Sequence, residues 1–361
     1  MRFVDEYRDS ALAAGLLEGI RGATTRELKF MEVCGSHTVA IFKSGIRDLL
    51  PGNIRLVSGP GCPVCVTSVE DIDKAVAISR EPGVILATFG DMMRVPGSTT
   101  SLQKAKADGS DIRVVYSPFD ALKLAESNPS SKVVFFAAGF ETTSPAVAAT
   151  LGRAVEAGTK NFLVFSVHKT IPGAMRGLLD TPKLKIDGFI CPGHVSTIIG
   201  SKPYRFIAEE YKRAAVVTGF EPVDILQSTL MLIRQVKEGR PSVEIQYLRA
   251  VSEDGNPKAR EILYRYFEPS DSNWRGIAVI PGSGLKLRDE FKDHDAEKVF
   301  DIKTGEPREV KGCSCGEVLQ GIKTPPECKL FGKACTPDDP VGACMVSYEG
   351  SCAAYYKYGR R

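Results

Sequence analysis

Residues 28–66, LKFMEVCGSHTVAIFKSGIRDLLPGNIRLVSGPGCPVCV, decide the fold. An apolar run, Phe30-Met31-Glu32-Val33, ends on Cys34. Gly-Ser-His-Thr then opens a helical stretch from Val39 to Leu50. A second apolar run, Ile54 to Val57, ends in Ser58-Gly-Pro-Gly and then Cys62-Pro-Val-Cys65. Three thiols thus sit just past two expected strands, where helices begin. Backbone N–H groups at a helix start favour negative charge. The placement therefore predicts cysteines of lowered pKa, more nucleophilic and better metal ligands.

The same pattern continues outward to about residue 251. Strands are expected at Lys29–Val33, Ile54–Val57, Val84–Phe89, Arg113–Tyr116, Val133–Ala137, Phe162–Val167, Gly188–Cys191, Ala215–Thr218 and Val243–Leu248. They are near-continuous Val/Ile/Phe runs, as expected for strands buried on both faces of a parallel sheet. Helical patterns at Val69–Arg80, Pro118–Ser127, Pro145–Ala157, Ala174–Leu179, Tyr204–Tyr211 and Pro222–Lys237 lie between them. Repeated strand–helix units predict an α/β fold of two doubly wound parallel-sheet domains. The polar break Glu126-Ser-Asn-Pro-Ser-Ser131 suggests the boundary, giving domains 1–127 and 128–251. Residues 252–361 are richer in Gly and Pro, weak in periodicity, and form a third, irregular region.

Composition narrows the function classes. The 361 residues carry 47 Lys+Arg against 44 Asp+Glu, a net charge of +3, so no strong field for nucleic acid or membrane is implied. No run of 18 uncharged apolar residues occurs, so no membrane span is expected. The N-terminal stretch carries Asp5, Glu6 and Asp9 and reads as an amphipathic helix, not a signal peptide. A cytoplasmic protein is expected. In that reducing compartment ten cysteines point to metal or redox chemistry rather than permanent bridges.

Six of the ten crowd the last 49 residues. Their spacing is Cys315-x12-Cys328-x6-Cys335-x16-Cys352, with Cys313 and Cys344 interspersed. Four thiolates in Pro- and Gly-rich backbone suit an iron–sulfur cluster or structural zinc. Zinc sites usually show paired C-x2–4-C knuckles, which this segment lacks, so the cluster is favoured. Cys62-Pro-Val-Cys65 has the redox C-x-x-C spacing; half a zinc site or two packed thiols are the alternatives. Cys34 and His37 offer a metal thiolate, a Cys–His nucleophile pair, or a buried apolar cysteine.

Three of the four histidines, His37, His168 and His194, follow strands, at the edge where open α/β sheets hold their ligand crevice. Glu141, in Gly139-Phe-Glu-Thr-Thr143, shares that position as a base, a ligand or a helix-start carboxylate. Asp91-Met-Met-Arg94 flanks the same crevice, and Cys191 reads as structural. No P-loop, Rossmann glycine fingerprint or HExxH is present.

Taken in order, Cys34-Gly-Ser-His-Thr38, Gly59-Pro-Gly-Cys-Pro-Val-Cys65, Gly139-Phe-Glu-Thr-Thr143, Pro192-Gly-His-Val-Ser196 and Met345-Val-Ser-Tyr-Glu-Gly-Ser-Cys-Ala-Ala-Tyr-Tyr356 resemble the HypD family of NiFe-hydrogenase maturation factors. They span nearly the whole chain. Tyr348 departs from the small residue expected before Glu-Gly. The resemblance implies a redox-active assembly scaffold for the Fe(CN)2CO unit, rather than a conventional turnover enzyme. It implies a small HypC-type chaperone and a HypE-type cyanide donor as partners, with the hydrogenase large subunit as final recipient. It also implies that Cys34 helps hold the iron and that Cys62 and Cys65 form a redox pair nearby. Cys315, Cys328, Cys335 and Cys352 would bind a 4Fe–4S cluster, and His194 and Glu141 would line the cleft. Cys313 and Cys344 are surplus, able to displace one of the four or to pair with each other. Two other classes compete: a stand-alone cluster-dependent thiol–disulfide reductase and a zinc-stabilised interaction protein.

Overall fold

The computed structural model describes residues 5–181 and 184–359. All nine expected strands form: β1 Leu28–Glu32, β2 Ile54–Ser58, β3 Val84–Thr88, β4 Ile112–Val114, β5 Lys132–Ala137, β6 Phe162–Ser166, β7 Gly188–Pro192, β8 Ala214–Thr218 and β9 Val243–Ile245. They make two wholly parallel sheets, ordered β2-β1-β7-β8-β9 and β4-β3-β5-β6. The central strands β3, β7 and β8 are buried along their whole length, which is why their sequences run apolar without alternation.

The sheet partition differs from the expected one. The break at 126–131 lies inside the four-stranded sheet, between the helix Pro118–Ser127 and β5. The four-stranded unit is instead inserted between β2 and β7 of the five-stranded one. Strand–helix grammar is the same on both sides of a crossover, so it marks units without saying which sheet each joins.

A further element was not expected. β10 Phe267–Trp274 and β11 Ala278–Leu287 form an antiparallel hairpin. Its edges pair with both segments that cross between the sheets. Arg275 N–H donates to Val66 O at 3.0 Å, Thr170 N–H to Ser283 O at 2.8 Å and Leu285 N–H to His168 O at 3.2 Å. Trp274 is fully buried, its indole N–H donating to Ser283 Oγ at 2.7 Å. The buried Lys169 ammonium donates to Ser272 Oγ and Asn273 O at 2.8 and 2.9 Å and lies 3.6 Å from Asp71. The hairpin therefore splints the two crossovers and sets the angle between the sheets.

The cysteine-rich tail is irregular, as expected, with short helices Cys315–Leu319, Ala343–Val346 and Ser351–Tyr358. It lies against the helix Gly35–Lys43 and the short turn Pro63–Val66. No helix among the described residues is long and apolar enough to cross a membrane.

Candidate functional site: a cleft and a row of thiols

The C-terminal edges of the two sheets face each other across a cleft of about 730 Å³. One wall presents Cys34, Ser36, His194 and Glu349; the other presents Phe89, Asp91, Tyr116, Thr142 and Thr143. This is the crevice position of α/β folds, doubled because two sheets meet.

Cys34 caps the helix Gly35–Lys43 with extended backbone, φ −161°. The Ser36 and His37 N–H groups lie near its sulfur and favour the thiolate, but no side-chain capping hydrogen bond forms, and the Ser36 hydroxyl is given to Glu349. Burial, with Glu349 nearby, nevertheless pushes the thiol up to about 12. The expected lowering at the helix start is thus overturned, because loss of solvation outweighs the dipole and its donors.

Cys62 and Cys65 are unbridged and lie behind the wall, which Gly61, Pro63 and Val64 form. Cys65 N–H donates to Cys62 Sγ at 3.3 Å. The Cys62 loop abuts Cys34: Gly35 N–H donates to Gly61 O at 3.0 Å, and a Cβ on Gly61 would meet the Cys34 backbone. Cys65 turns the other way. Its thiol contacts Cys62 and Cys344, and burial pushes it well up. Cys344 also contacts Cys315 and Cys352, and Cys315 contacts Cys313. The chain thereby builds an unbroken row of thiols from the cleft wall into the tail. Sequence reasoning had left Cys344 and Cys313 surplus; only the fold brings Cys344 to Cys65.

The row ends in a closed pocket lined by all six late cysteines, with Leu330, Phe331 and Met345. A soft, all-sulfur donor set in an apolar enclosure fits an iron–sulfur cluster. No group of three or more His, Cys, Asp or Glu among the described residues already forms a metal-holding shell. The donor chemistry fits, and the shell would close on loading.

The other expected site residues divide. His194, on the helix Gly193–Ile199, faces the cleft, stacked on Phe220 at 4.0 Å, with burial lowering its pKa. His37 stacks on the same ring at 4.5 Å. Its Nε2 lies 2.8 Å from Gly219 O and 3.2 Å from Thr218 O, and burial lowers it to about 4. The neutral ring is thus occupied at the end of β8 and makes no hydrogen bond to Cys34. Glu141 is buried, both carboxylate oxygens receiving Ile171 N–H at 3.0 and 3.2 Å, and burial raises it to about 8. It caps the helix Ile171–Leu179 from behind the cleft wall. His168 is likewise buried, held by Ser166 Oγ at 3.1 Å and lowered to about 3. Cys191 is fully buried in β7.

Sequence reasoning passed over Glu349 as a site residue. It reaches the cleft from the tail, accepts the Ser36 hydroxyl at 2.5 Å and packs on Gly35, where a Cβ would meet it. Its only signal was membership of the string Met345–Tyr356. Asp91, on the opposite wall, accepts the Ser347 hydroxyl at 2.9 Å, so the tail bridges both walls. Behind Cys34, the fully buried Glu32 pairs with Arg47, accepts from Ser58 Oγ at 2.9 Å and from Thr38 Oγ1 at 3.4 Å. Arg47 also donates to Tyr355 Oη at 2.9 Å, fixing the tail to β1.

Two facing α/β sheets, a lone cleft thiol and a thiol row leading away from it define an α/β protein whose candidate site is built from sulfur. The sequence profile described as "HypD: Hydrogenase formation hypA family" matches residues 11–359. A protein named hydrogenase maturation factor HypD from Rhizobium leguminosarum bv. viciae is 49% identical, covering 100% of this chain and 96% of that protein. The protein of that name from Azotobacter vinelandii is 50% identical over 100% and 98% of the two chains. That from Escherichia coli (strain K12) is 47% identical over 99% and 98%. The chain belongs to the HypD family of hydrogenase maturation factors.

Proposed function

We propose that this protein serves hydrogenase maturation as the scaffold on which the Fe(CN)2CO unit is assembled, the iron being cargo held in the cleft. The carrying observation is the separation of two kinds of thiol: Cys34 alone on the cleft, and Cys62/Cys65 behind its wall at the head of the thiol row. A soft thiolate suits low-spin Fe(II) with strong-field cyanide and CO ligands. Cys34 supplies one such ligand, and a small HypC-type chaperone entering the cleft supplies a second.

Cyanide leaves a thiocyanate-type donor on a HypE-type partner only when two electrons are supplied. Cys62 and Cys65 supply them by closing a disulfide: RSCN + 2 R′SH → RSH + HCN + R′S–SR′. Both thiols give up their protons, one to the departing donor thiol and one to cyanide. His194, neutral and open to the cleft, accepts the second proton as cyanide binds the iron. Glu349 and Ser36 position the Cys34 loop. Cys315, Cys328, Cys335 and Cys352 would hold a 4Fe–4S cluster, with Cys313 alongside Cys315 and Cys344 linking the pocket to Cys65. Such a cluster supplies single electrons when bound. The finished unit passes to the hydrogenase large subunit.

Infrared spectroscopy of the anaerobically purified protein with its chaperone tests the reading. Bound cyanide and CO bands are expected, and Cys34→Ala erases them. If the bands are absent while the protein still reduces disulfides, and Cys34→Ala leaves that rate unchanged, the protein is a stand-alone thiol–disulfide reductase. That alternative is favoured by the thiol row taken alone.

A further inference from the structure

A second depression, of about 480 Å³, lies on the outer face of the tail. Its walls are Phe42, Phe331, Tyr355, Tyr356 and Tyr358, with Arg47 at its base. It shares no lining residue with the cleft. Phe331 faces this groove and the cysteine pocket alike. The helix Ser351–Tyr358 does the same along its length: Cys352 enters the pocket, while Tyr355 and Tyr356 line the groove. Backbone contacts are as close, Phe331 N–H donating to Cys328 O and Gly332 N–H to Cys335 O, both at 3.0 Å. One layer of side chains therefore separates the groove from the thiols.

The rim carries three lysines. The Lys43 and Lys357 ammonium groups lie 5.8 and 5.3 Å from the centre of the Tyr358 ring. Lys333, exposed, follows the lining residue Gly332. Arg47 is paired inward with Glu32; the acids are Asp48 among the lining residues and the exposed Glu327, which follows the lining residue Pro326 and acts on Tyr355, so the three lysines leave the rim net positive. Aromatic floor and lysine rim match a small acidic protein held weakly and released quickly, the pattern of electron-transfer encounters.

We propose that this groove is the docking site of a small, acidic, one-electron carrier protein that restores the thiol row. The proposal rests on the cluster reading above. A Cys62–Cys65 disulfide takes two electrons and two protons to return to the dithiol, so two carrier molecules each give one electron in turn. The carrier must leave and be replaced, which suits electrostatic docking. Entry here also leaves the cleft free for the iron and its partners.

The test uses the full-length, anaerobically reconstituted protein, with reduced plant-type 2Fe–2S ferredoxin as probe and dithionite as the small reductant. Lys333→Glu/Lys357→Glu is the variant. The ferredoxin rate is expected to fall about tenfold in the variant, and to fall with added salt in the native protein. The dithionite rate stays within twofold. Equal ferredoxin rates in both proteins, or indifference to salt, overturns the proposal. A second arm measures binding of redox-inert, gallium-substituted ferredoxin by NMR line broadening. Binding lost in the variant supports the groove; equal binding, or a groove already covered by a second copy of the chain, overturns it. If dithionite bleaches no cluster absorption in the native protein, the cluster reading fails, and the binding arm still judges the groove.

Discussion

Both walls of the cleft are built from a parallel strand running into a helix. On one side β1 runs into Cys34-Gly-Ser-His-Thr38, and on the other β5 runs into Gly139-Phe-Glu-Thr-Thr143. Their furnishing differs. The first wall carries a thiol, an imidazole and a carboxylate open to the cleft, backed by the buried Glu32–Arg47 pair and by the tail. The second offers hydroxyls, rings and Asp91, with its one glutamate turned inward to cap a helix. One wall gathers the thiol and the imidazole, and the other mainly encloses the cleft. The reactive wall should therefore tolerate change least, in its support as well as in its reacting groups.

The largest effect is expected from the support. Arg47→Ala leaves the fully buried Glu32 carboxylate unpaired and cuts the tail from β1. Removing one member of a buried pair costs about 3–5 kcal/mol. Urea unfolding should show a loss of that size, and heating should release the tail to proteolysis first. A midpoint close to that of the native protein would mean that neither the ion pair nor its link to Tyr355 holds the wall.

Glycines give a matched pair across the cleft. A Cβ on Gly61 would meet the backbone of Cys34 and Val33, which cannot swing aside; one on Gly139 would meet the hydroxyl of Thr143, which can rotate. Gly61→Ala is expected to cost about 3 kcal/mol and Gly139→Ala about 1 kcal/mol, as backbone crowding exceeds side-chain crowding. Thermal unfolding of the two variants side by side measures the contrast. Equal losses would erase the distinction between the walls.

How much of this was open to sequence reading follows from the same physics. Strands buried on both faces announce themselves as unbroken apolar runs, so β1 to β9 were all legible, with β9 shorter than expected because its end turns away at Gln246. The hairpin was not legible. β10 is polar and β11 carries Pro281, Gly282 and Gly284, and the apolar residues they bury, Phe267, Trp274, Ile280, Leu285 and Leu287, follow no regular alternation. Which sheet a strand joins is a property of the crossovers, and these leave no periodic trace. Cys34 and His194 were legible because they follow strands and face the cleft. His37 and Glu141 follow strands too, but their side chains turn inward, a direction no spacing encodes. The Cys65–Cys344 contact joins segments far apart in the chain, and the sign of the Cys34 shift depends on burial that a motif does not report.

Glu141 sharpens the comparison by pH. Its carboxyl is raised to about 8 by burial, so the folded protein holds a proton there that the unfolded chain gives up near its ordinary value. Its contribution to stability is full below about pH 4.3 and is lost as pH rises through about 8. Glu141→Gln cannot ionise, so its stability should fall less with pH. Between pH 5 and pH 7 the native protein should lose on the order of 2 kcal/mol relative to the variant. Denaturation at the two pH values measures this. Parallel stability curves would show an ionised Glu141 and restore it as a candidate base.

The smallest effect concerns the reacting thiol itself. Burial raises the Cys34 thiol first, and the Glu349 charge raises it further. Glu349→Gln keeps an acceptor for the Ser36 hydroxyl and removes the charge, so the thiol should become more acidic. Thiolate is the form that reacts with alkylating agents. Far below the thiol's pKa the rate of modification follows the thiolate fraction. Removing a neighbouring charge worth about 1 kcal/mol then speeds iodoacetamide labelling of Cys34 about fivefold in the metal-free protein, read by mass spectrometry of its peptide. Asp91→Asn removes a charge on the opposite wall and is expected to change the labelling rate less than about twofold. If both variants speed labelling alike, the enclosing wall reaches the thiol electrostatically as well, and the division of labour between the two walls is one of position alone.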